Sequence, residues 1–354
     1  MQSTPGRLTA CKMIVFAAAG SGKTSGIVYA CYLLYKLATS PGAMCGKVKA
    51  FAGVLTRTAQ QELVLRGAAA SGVTTILTFH ALGKRILWVR DLPSPLPPAP
   101  FPHPLPPPLA PEPSLLHSSQ RHSSSFFKEH EAMAGDKKKD PFDPAIISQK
   151  SRLLVAFVLD GHKHKGALVK LYREYVDRLV SLAKARGIGC PTEESFFSLD
   201  VLGALSAEYN LQTIIEACYS GLLRLAEKLA LPDDEFGTEE NRLEFGITLA
   251  SNVLSTSIDV ATSLTVNGKS HLFNEVTQQR VPLPVYDQMD LVYLPVYLGL
   301  DLGSYTHVLV DELQDAFHII WLFIQQMLLK GANLLMVGDF AQSIFFWAGG
   351  SQVC

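Results

Sequence analysis

The segment Ala17-Ala18-Ala19-Gly20-Ser21-Gly22-Lys23-Thr24 constrains this chain more than any other stretch. It reads A-x-x-x-x-G-K-T, one residue from the strict phosphate-binding loop pattern, with Ala17 where glycine is usual. Before it, Met13-Ile14-Val15-Phe16 is a short apolar, partly branched run that reads as a buried strand. After it, Ile27, Tyr29, Leu33 and Leu34 recur at near-helical spacing until Ser40-Pro41-Gly42. A strand, a loop of small residues and a helix N-terminus gather backbone N–H groups and a positive dipole end around an anion. Residues Ala19, Gly20, Ser21, Gly22, Lys23, Thr24 and Ser25 are the expected lining. Lys23 would reach β- and γ-phosphates, and the Thr24 hydroxyl would ligate Mg²⁺.

The remaining composition narrows the classes. At 354 residues the chain can hold one large or two to three smaller domains. A net charge of −1 sets up no global basic field, so contact with nucleic acid has to be local. The six cysteines form no C-x-x-C pair, which argues against a zinc site and for reduced, intracellular thiols. No run of eighteen apolar residues is present, so no membrane partner is expected.

Taken in order, residues 1–90 read as alternating strands and helices. Lys47 to Leu55 is a strand, and Thr56-Arg57 opens a short helix that ends near Gly67. Val73 to Leu77 is a further strand, and Thr78 is a plausible N-cap for a helix from Phe79 to Leu87. Such alternation predicts an α/β fold with a parallel sheet. Ligands bind in loops at the carboxyl ends of its strands. Thr56, Arg57, Phe79 and His80 fall in those loops. For Phe79 and His80 two roles are open, a ligand contact or the stapling and capping of the following helix.

Residues 91–114 hold twelve of the chain's 21 prolines. With the Ser- and Lys-rich sequence that follows, 91–145 reads as a solvated, disordered insert. Residues 146–284 read as a helical subdomain. Leu168, Leu171, Tyr175, Leu179 and Leu182 form one apolar stripe, and Ile214, Ile215, Cys218 and Leu222 begin another. Residues 263–284 read as loop. From 285 to 354 the α/β pattern resumes. The apolar strand His307-Val308-Leu309-Val310 ends in Asp311-Glu312. Asp311 is a candidate hard-oxygen Mg²⁺ ligand, and Glu312 a candidate base for the attacking water. The next strand, Asn333 to Gly338, leads through Asp339 to Gln342, placed to sense a γ-phosphate. Phe345 and Trp347 are candidates for stacking on unpaired bases, with core packing the other role open to Phe345.

The ordered blocks Ala-Gly-Ser-Gly-Lys-Thr, Thr-Phe-His-Ala-Leu-Gly-x-Arg-Ile-Leu, Val-Asp-Glu-x-Gln-Asp and Val-Gly-Asp-x-x-Gln-Ser-Ile-x-x-Trp resemble the UvrD/Rep-type DNA helicases of superfamily 1. Phe51 to Arg66 and Asp287 to Pro295 look more like the F-box-helicase and phage-like branch. The resemblance covers about residues 12–90 and 286–354. It implies a RecA-like ATP-binding lobe and ATP-driven 3′-to-5′ movement on single-stranded DNA. ATP and Mg²⁺ are the implied cofactors. Lys23, Thr24, Asp311, Glu312 and Gln342 take the nucleotide roles, and Thr56, Arg57, Phe79, His80, Phe345 and Trp347 contact the strand. Two departures stand out, Ala348 where such helicases carry Arg and Phe345 where they carry Tyr. The motifs of a second RecA-like lobe are not among these residues, which suggests a fragment, an incomplete gene model or a decayed paralogue. Motor activity would then need that lobe in cis or in trans. The alternative is a non-motor ATP- and DNA-binding interaction module built from a helicase half.

Overall fold

The computed structural model describes residues 11–16, 21–40, 48–68, 72–88, 150–162, 164–191, 197–229, 238–267, 271–274, 279–282 and 286–339. The chain divides into two compact units. One comprises residues 1–92, 185–187 and 291–354, the other 93–184 and 188–290. The Pro-rich segment lies outside the described residues.

The first unit is α/β. Its strands are β1 (Lys12–Phe16), β2 (Ala50–Val54), β3 (Thr74–Thr78), β6 (His307–Val310) and β7 (Asn333–Gly338). They form one sheet in the order β1-β7-β6-β2-β3, and every pairing is parallel. Helices α1 (Lys23–Thr39), α2 (Arg57–Leu65) and α3 (Phe79–Trp88) follow β1, β2 and β3 in turn, α9 (Asp290–Tyr297) precedes β6, and α10 (His318–Leu328) joins β6 to β7. Parallel strands need such crossovers, which cover the sheet on both faces and bury its central strands on both. β2 is accordingly buried at all five positions. On one face Ile27, Cys31 and Leu34 of α1 and Leu63 of α2 cluster with Ala50, Ala52, Val54, Ile76, Leu309 and Val337. On the other, Phe51 meets Phe79 and Tyr305.

β1 departs from its expected burial. Met13, Ile14 and Phe16 are each about half exposed, because β1 is the outer strand with β7 as its neighbour among the described residues. An apolar run marks membership of a sheet but not the position within it.

At the opposite end from the loops, polar side chains lace the strand starts together. Asn333 accepts from the Cys11 N–H at 2.8 Å and faces the His307 ring at 3.2 Å. The Thr306 hydroxyl accepts from the Lys49 N–H at 2.9 Å. These contacts set the register of β1, β7, β6 and β2 from below.

The second unit is mainly helical, with α4 (Lys150–Val158), α5 (Lys165–Ala185), α6 (Leu199–Glu208), α7 (Gln212–Leu229) and α8 (Glu239–Asn267). The predicted stripe is its core, since Leu171, Tyr175, Leu179 and Leu182 have almost no exposed surface. The Tyr175 hydroxyl lies 3.0 Å from that of Ser206 on α6, which satisfies a polar atom inside this core. Residues 263–284 differ from the expected loop. α8 runs on to Asn267, and β4 (His271–Asn274) pairs antiparallel with β5 (Gln279–Pro282). Strands this short carry too little apolar alternation to stand out in sequence.

A buried charge cluster ties four segments of this unit. The Lys184 ammonium donates to the Ser257 hydroxyl at 2.8 Å, to Asp287 at 2.5 Å and to Asp290 at 2.6 Å. Lys150 pairs with the other Asp290 oxygen. The Asp287 and Asp290 side chains each accept the other's backbone N–H at 2.8 Å. Two ammonium groups thus face two carboxylates in a site with little access to water. Burial alone would push the Asp287 carboxyl up, but Lys184 and Lys150 outweigh it and hold the group at about 2. Burial likewise opposes the Lys184 charge, and the two aspartates still raise its pKa.

Removing one member leaves an uncompensated charge, so Lys184→Met is expected to cost about 3–5 kcal/mol, read from urea unfolding by circular dichroism. Asp287 contributes stability that is present above its unfolded pKa and fades as pH falls from about 4 towards about 2. In Asp287→Asn the stability should fall less steeply across that window.

Candidate functional site

The parallel register puts the carboxyl ends of β1, β2, β3, β6 and β7 on one edge of the sheet. There the first unit collects its reactive side chains. α1 begins at Lys23 with Gly22 as its N-cap. Gly22 has φ 83°, a left-handed conformation that a side chain would strain. Ser21 and Gly22 are exposed at this helix start, while Lys23 and Thr24 are partly buried.

Thr24 and Asp311, the two expected Mg²⁺ ligands, meet. The Thr24 hydroxyl lies close enough to the Asp311 carboxylate to oppose the rise of its pKa. Asp311 is buried at the end of β6, and its N–H donates to the Gly53 carbonyl at 3.3 Å. Burial pushes its carboxyl up, the Thr24 hydroxyl opposes that, and the charges of Glu312 and Glu62 add to it. Thr24 and Asp311 are the oxygen donors here that could face a hard divalent ion, and no group of three or more acidic, histidine or cysteine side chains among the described residues is arranged to hold one.

Glu312 follows in the left-handed region, at φ 56° and ψ 47°, one of two described non-glycine residues with positive φ. Its N–H donates to Asp311 Oδ1 at 3.1 Å. A 3₁₀ turn, Leu313–Asp315, comes next. From it Gln314 donates to Glu312 Oε2 at 2.7 Å and accepts the Asp339 N–H at 2.8 Å. The Asp339 carboxylate lies 3.7 Å from the Lys23 ammonium. Lys23, Thr24, Asp311 and Glu312 are therefore gathered by three strand ends, with Gln314 and Asp339 between them. Sequence reasoning gave Gln314 and Asp339 no role. Both were findable, Asp339 as a carboxylate at a strand end and Gln314 as the residue three beyond Asp311.

Ser25 is exposed and accepts from Arg66 at 3.1 Å, while Arg66 also pairs with Glu62 at 2.5 Å. Neither Glu62 nor Arg66 was singled out from sequence. Thr56 is exposed and caps α2 by accepting the Ala59 N–H at 3.2 Å. Arg57 is exposed at the start of the same helix. Thr78 caps α3 as expected, at 3.1 Å from the Ala81 nitrogen. His80 sits in the first turn of α3, half-buried, and burial pushes its pKa down.

Phe79 is a correction. Expected as a strand contact, it has no exposed surface. Its ring meets Phe51 and Phe323 edge-on at 5.7 and 5.9 Å. Gly53 makes the room, since a Cβ there would stand 2.5 Å from the Phe79 ring. Packing at the helix start, the second role open to it, is the one it takes. Ala19, Gly20, Gln342, Phe345 and Trp347 lie outside the described residues.

A five-stranded all-parallel sheet with helices on both faces, and polar residues at its carboxyl edge, is compatible with a RecA-like lobe. Residues 302–352 match the family model of the UvrD/REP helicase N-terminal domain. The matched stretch takes in β6, the Asp311–Glu312–Gln314 turn, α10 and β7. It supports the UvrD-like helicase family and a helicase-type function. No curated protein matches the chain. Among the described residues no helix is long and apolar enough to cross a membrane.

Truncating Phe79 should open a core cavity. Phe79→Ala is expected to cost about 3–5 kcal/mol in urea or thermal unfolding. An unchanged unfolding midpoint would return this ring to the surface.

Proposed function

We propose that the first unit is the ATP-binding lobe of a UvrD/Rep-type DNA helicase, which binds Mg²⁺·ATP and single-stranded DNA. The observation that carries this reading is the convergence of Lys23 and Thr24 at the start of α1 with Asp311 and Glu312 at the end of β6, where Lys23 lies 3.7 Å from Asp339 and the Glu312 N–H donates to Asp311 at 3.1 Å. Two hard oxygen donors from opposite halves of the chain meet at the start of a helix, which is what a nucleotide-bound magnesium requires.

In this reading the exposed N-terminus of α1 receives the phosphates, and Ala19, Gly20, Ser21, Gly22 and Ser25 line them. Lys23 leaves Asp339 for the β- and γ-oxygens, exchanging one anionic partner for another. Thr24 and Asp311 would hold Mg²⁺, which when bound neutralises phosphate charge and orients the terminal group. Glu312 accepts a proton from the attacking water. Gln342 senses the γ-phosphate. Catalysis of this kind is mostly positioning and charge stabilisation; this lobe supplies its share of the transition-state contacts, and a second lobe, in cis or in trans, adds the rest that full turnover and motor activity require. Thr56, Arg57, His80, Phe345 and Trp347 form the strand-binding set, with stacking on Trp347 giving sequence-tolerant binding in the 3′-to-5′ motor.

The test is nucleotide titration of the purified chain with a fluorescent ATP analogue and Mg²⁺. Lys23→Ala should abolish binding in a folded protein. Glu312→Gln should bind as the parent does and lose hydrolysis, because the amide keeps the shape but cannot take the proton. Unchanged affinity in folded Lys23→Ala would sink the proposal.

A further inference from the structure

We infer that Gln314 is a positioning residue that holds the Glu312 carboxylate in one orientation, an inference that rests on the reading of Glu312 as the base. Gln314 is 3% exposed, and both ends of its amide are engaged. Its nitrogen donates to Glu312 Oε2 at 2.7 Å, and its oxygen accepts the Asp339 N–H at 2.8 Å. The amide cannot be turned over. A backbone N–H can only donate, so the oxygen must face Asp339, and an amide oxygen against an ionised carboxylate would repel it.

The surroundings are shaped around this contact. Gly338, the last residue of β7, leaves the space that the Gln314 amide fills. A Cβ at that position would lie 2.9 Å from Gln314 Oε1 and 3.0 Å from Leu313 Cβ. On the other side, the left-handed turn at Glu312 brings its side chain back over the 3₁₀ turn that carries Gln314. A buried glutamine, a glycine that admits it and a residue bent out of the usual backbone region converge on one hydrogen bond.

The consequence for chemistry is specific. A free glutamate samples several rotamers, and a base works only from the one whose lone pair faces the water. Gln314 occupies Oε2 and leaves Oε1 as the oxygen that receives the proton. Because its other end rests on β7, the orientation of Glu312 is referenced to the strand whose next residue, Asp339, faces Lys23. One side chain thus keeps the base in register with the phosphate-binding lysine.

The test compares two equilibria, binding of Mg²⁺·AMPPNP as a ground-state analogue and of Mg²⁺·ADP·AlF₄⁻ as a transition-state analogue. Gln314→Leu removes both hydrogen bonds at similar volume. Gln314→Glu keeps an acceptor for the Asp339 N–H but offers Glu312 no donor. Both variants should bind AMPPNP within about threefold of the parent and lose about tenfold or more of the preference for the aluminium fluoride complex. Failure of the parent to bind AMPPNP defeats the proposed function itself. A parent-like preference in both variants overturns the inference, and so does a loss in Gln314→Leu that Gln314→Glu restores, since the contact to β7 alone would then suffice. Joint loss of AMPPNP binding and melting temperature in both variants assigns Gln314 to the fold and overturns it as well.

Discussion

Parallel pairing in a common register is the constraint on which the structure of the first unit depends. Asn333, Thr306 and His307 fix the strand starts of β1, β7, β6 and β2, so that β1 and β7 end side by side and β7 runs two residues past the end of β6. Phe16 stands beside Gly338, and Val310 beside Met336. Shifting β7 by one residue would carry Asp339 away from Gln314 and turn Leu335 and Val337 out of the core face. The chemical groups at the loop end are accurate because hydrophobic and polar contacts at the other end leave no second register.

The charges at that end are balanced without being neutral. Asp311, Glu312 and Glu62 crowd together, and burial raises the cost of the first. Arg66 answers Glu62 and Lys23 faces Asp339, so the basic groups stand beside the other acids, and Asp311 has the Glu312 backbone N–H as its donor with the Thr24 hydroxyl near it. The second unit shows the other solution to buried charge. Its two lysines and two aspartates satisfy one another and one serine, which leaves a closed group with no call for a ligand.

How much of this could be read beforehand follows from how local each signal is. Lys23, Thr24, Asp311 and Glu312 announce themselves through their neighbours, a strand on one side and a turn or helix on the other. The stripe of Leu171, Tyr175, Leu179 and Leu182 is legible because helical spacing repeats within one segment. Phe79 is not legible in the same way, because its place is decided by Phe51, Gly53 and Phe323, far off in sequence. Lys150 and Lys184 look like ordinary solvent-facing residues of helices, and only the return of the chain at Asp287 and Asp290 makes them interior. The exposure of β1 is a fact about neighbours, which an apolar run does not encode. Gln314 could be noticed by its spacing from Asp311, but its contact to the Asp339 N–H beyond β7 is not local in sequence.

The left-handed backbone at Glu312 has an implication for the history and the engineering of such a site. A non-glycine residue held there costs of order 1 kcal/mol or more. Glycine would remove the strain, and asparagine would tolerate it better. A procedure that rewards thermostability alone, whether a laboratory screen or a sequence-design program, would therefore tend to replace this glutamate. If Glu312 is the base proposed above, its survival in a variant library would mark selection for chemistry, and its replacement by glycine would be an early sign that a lineage had kept the lobe as a scaffold without a reaction.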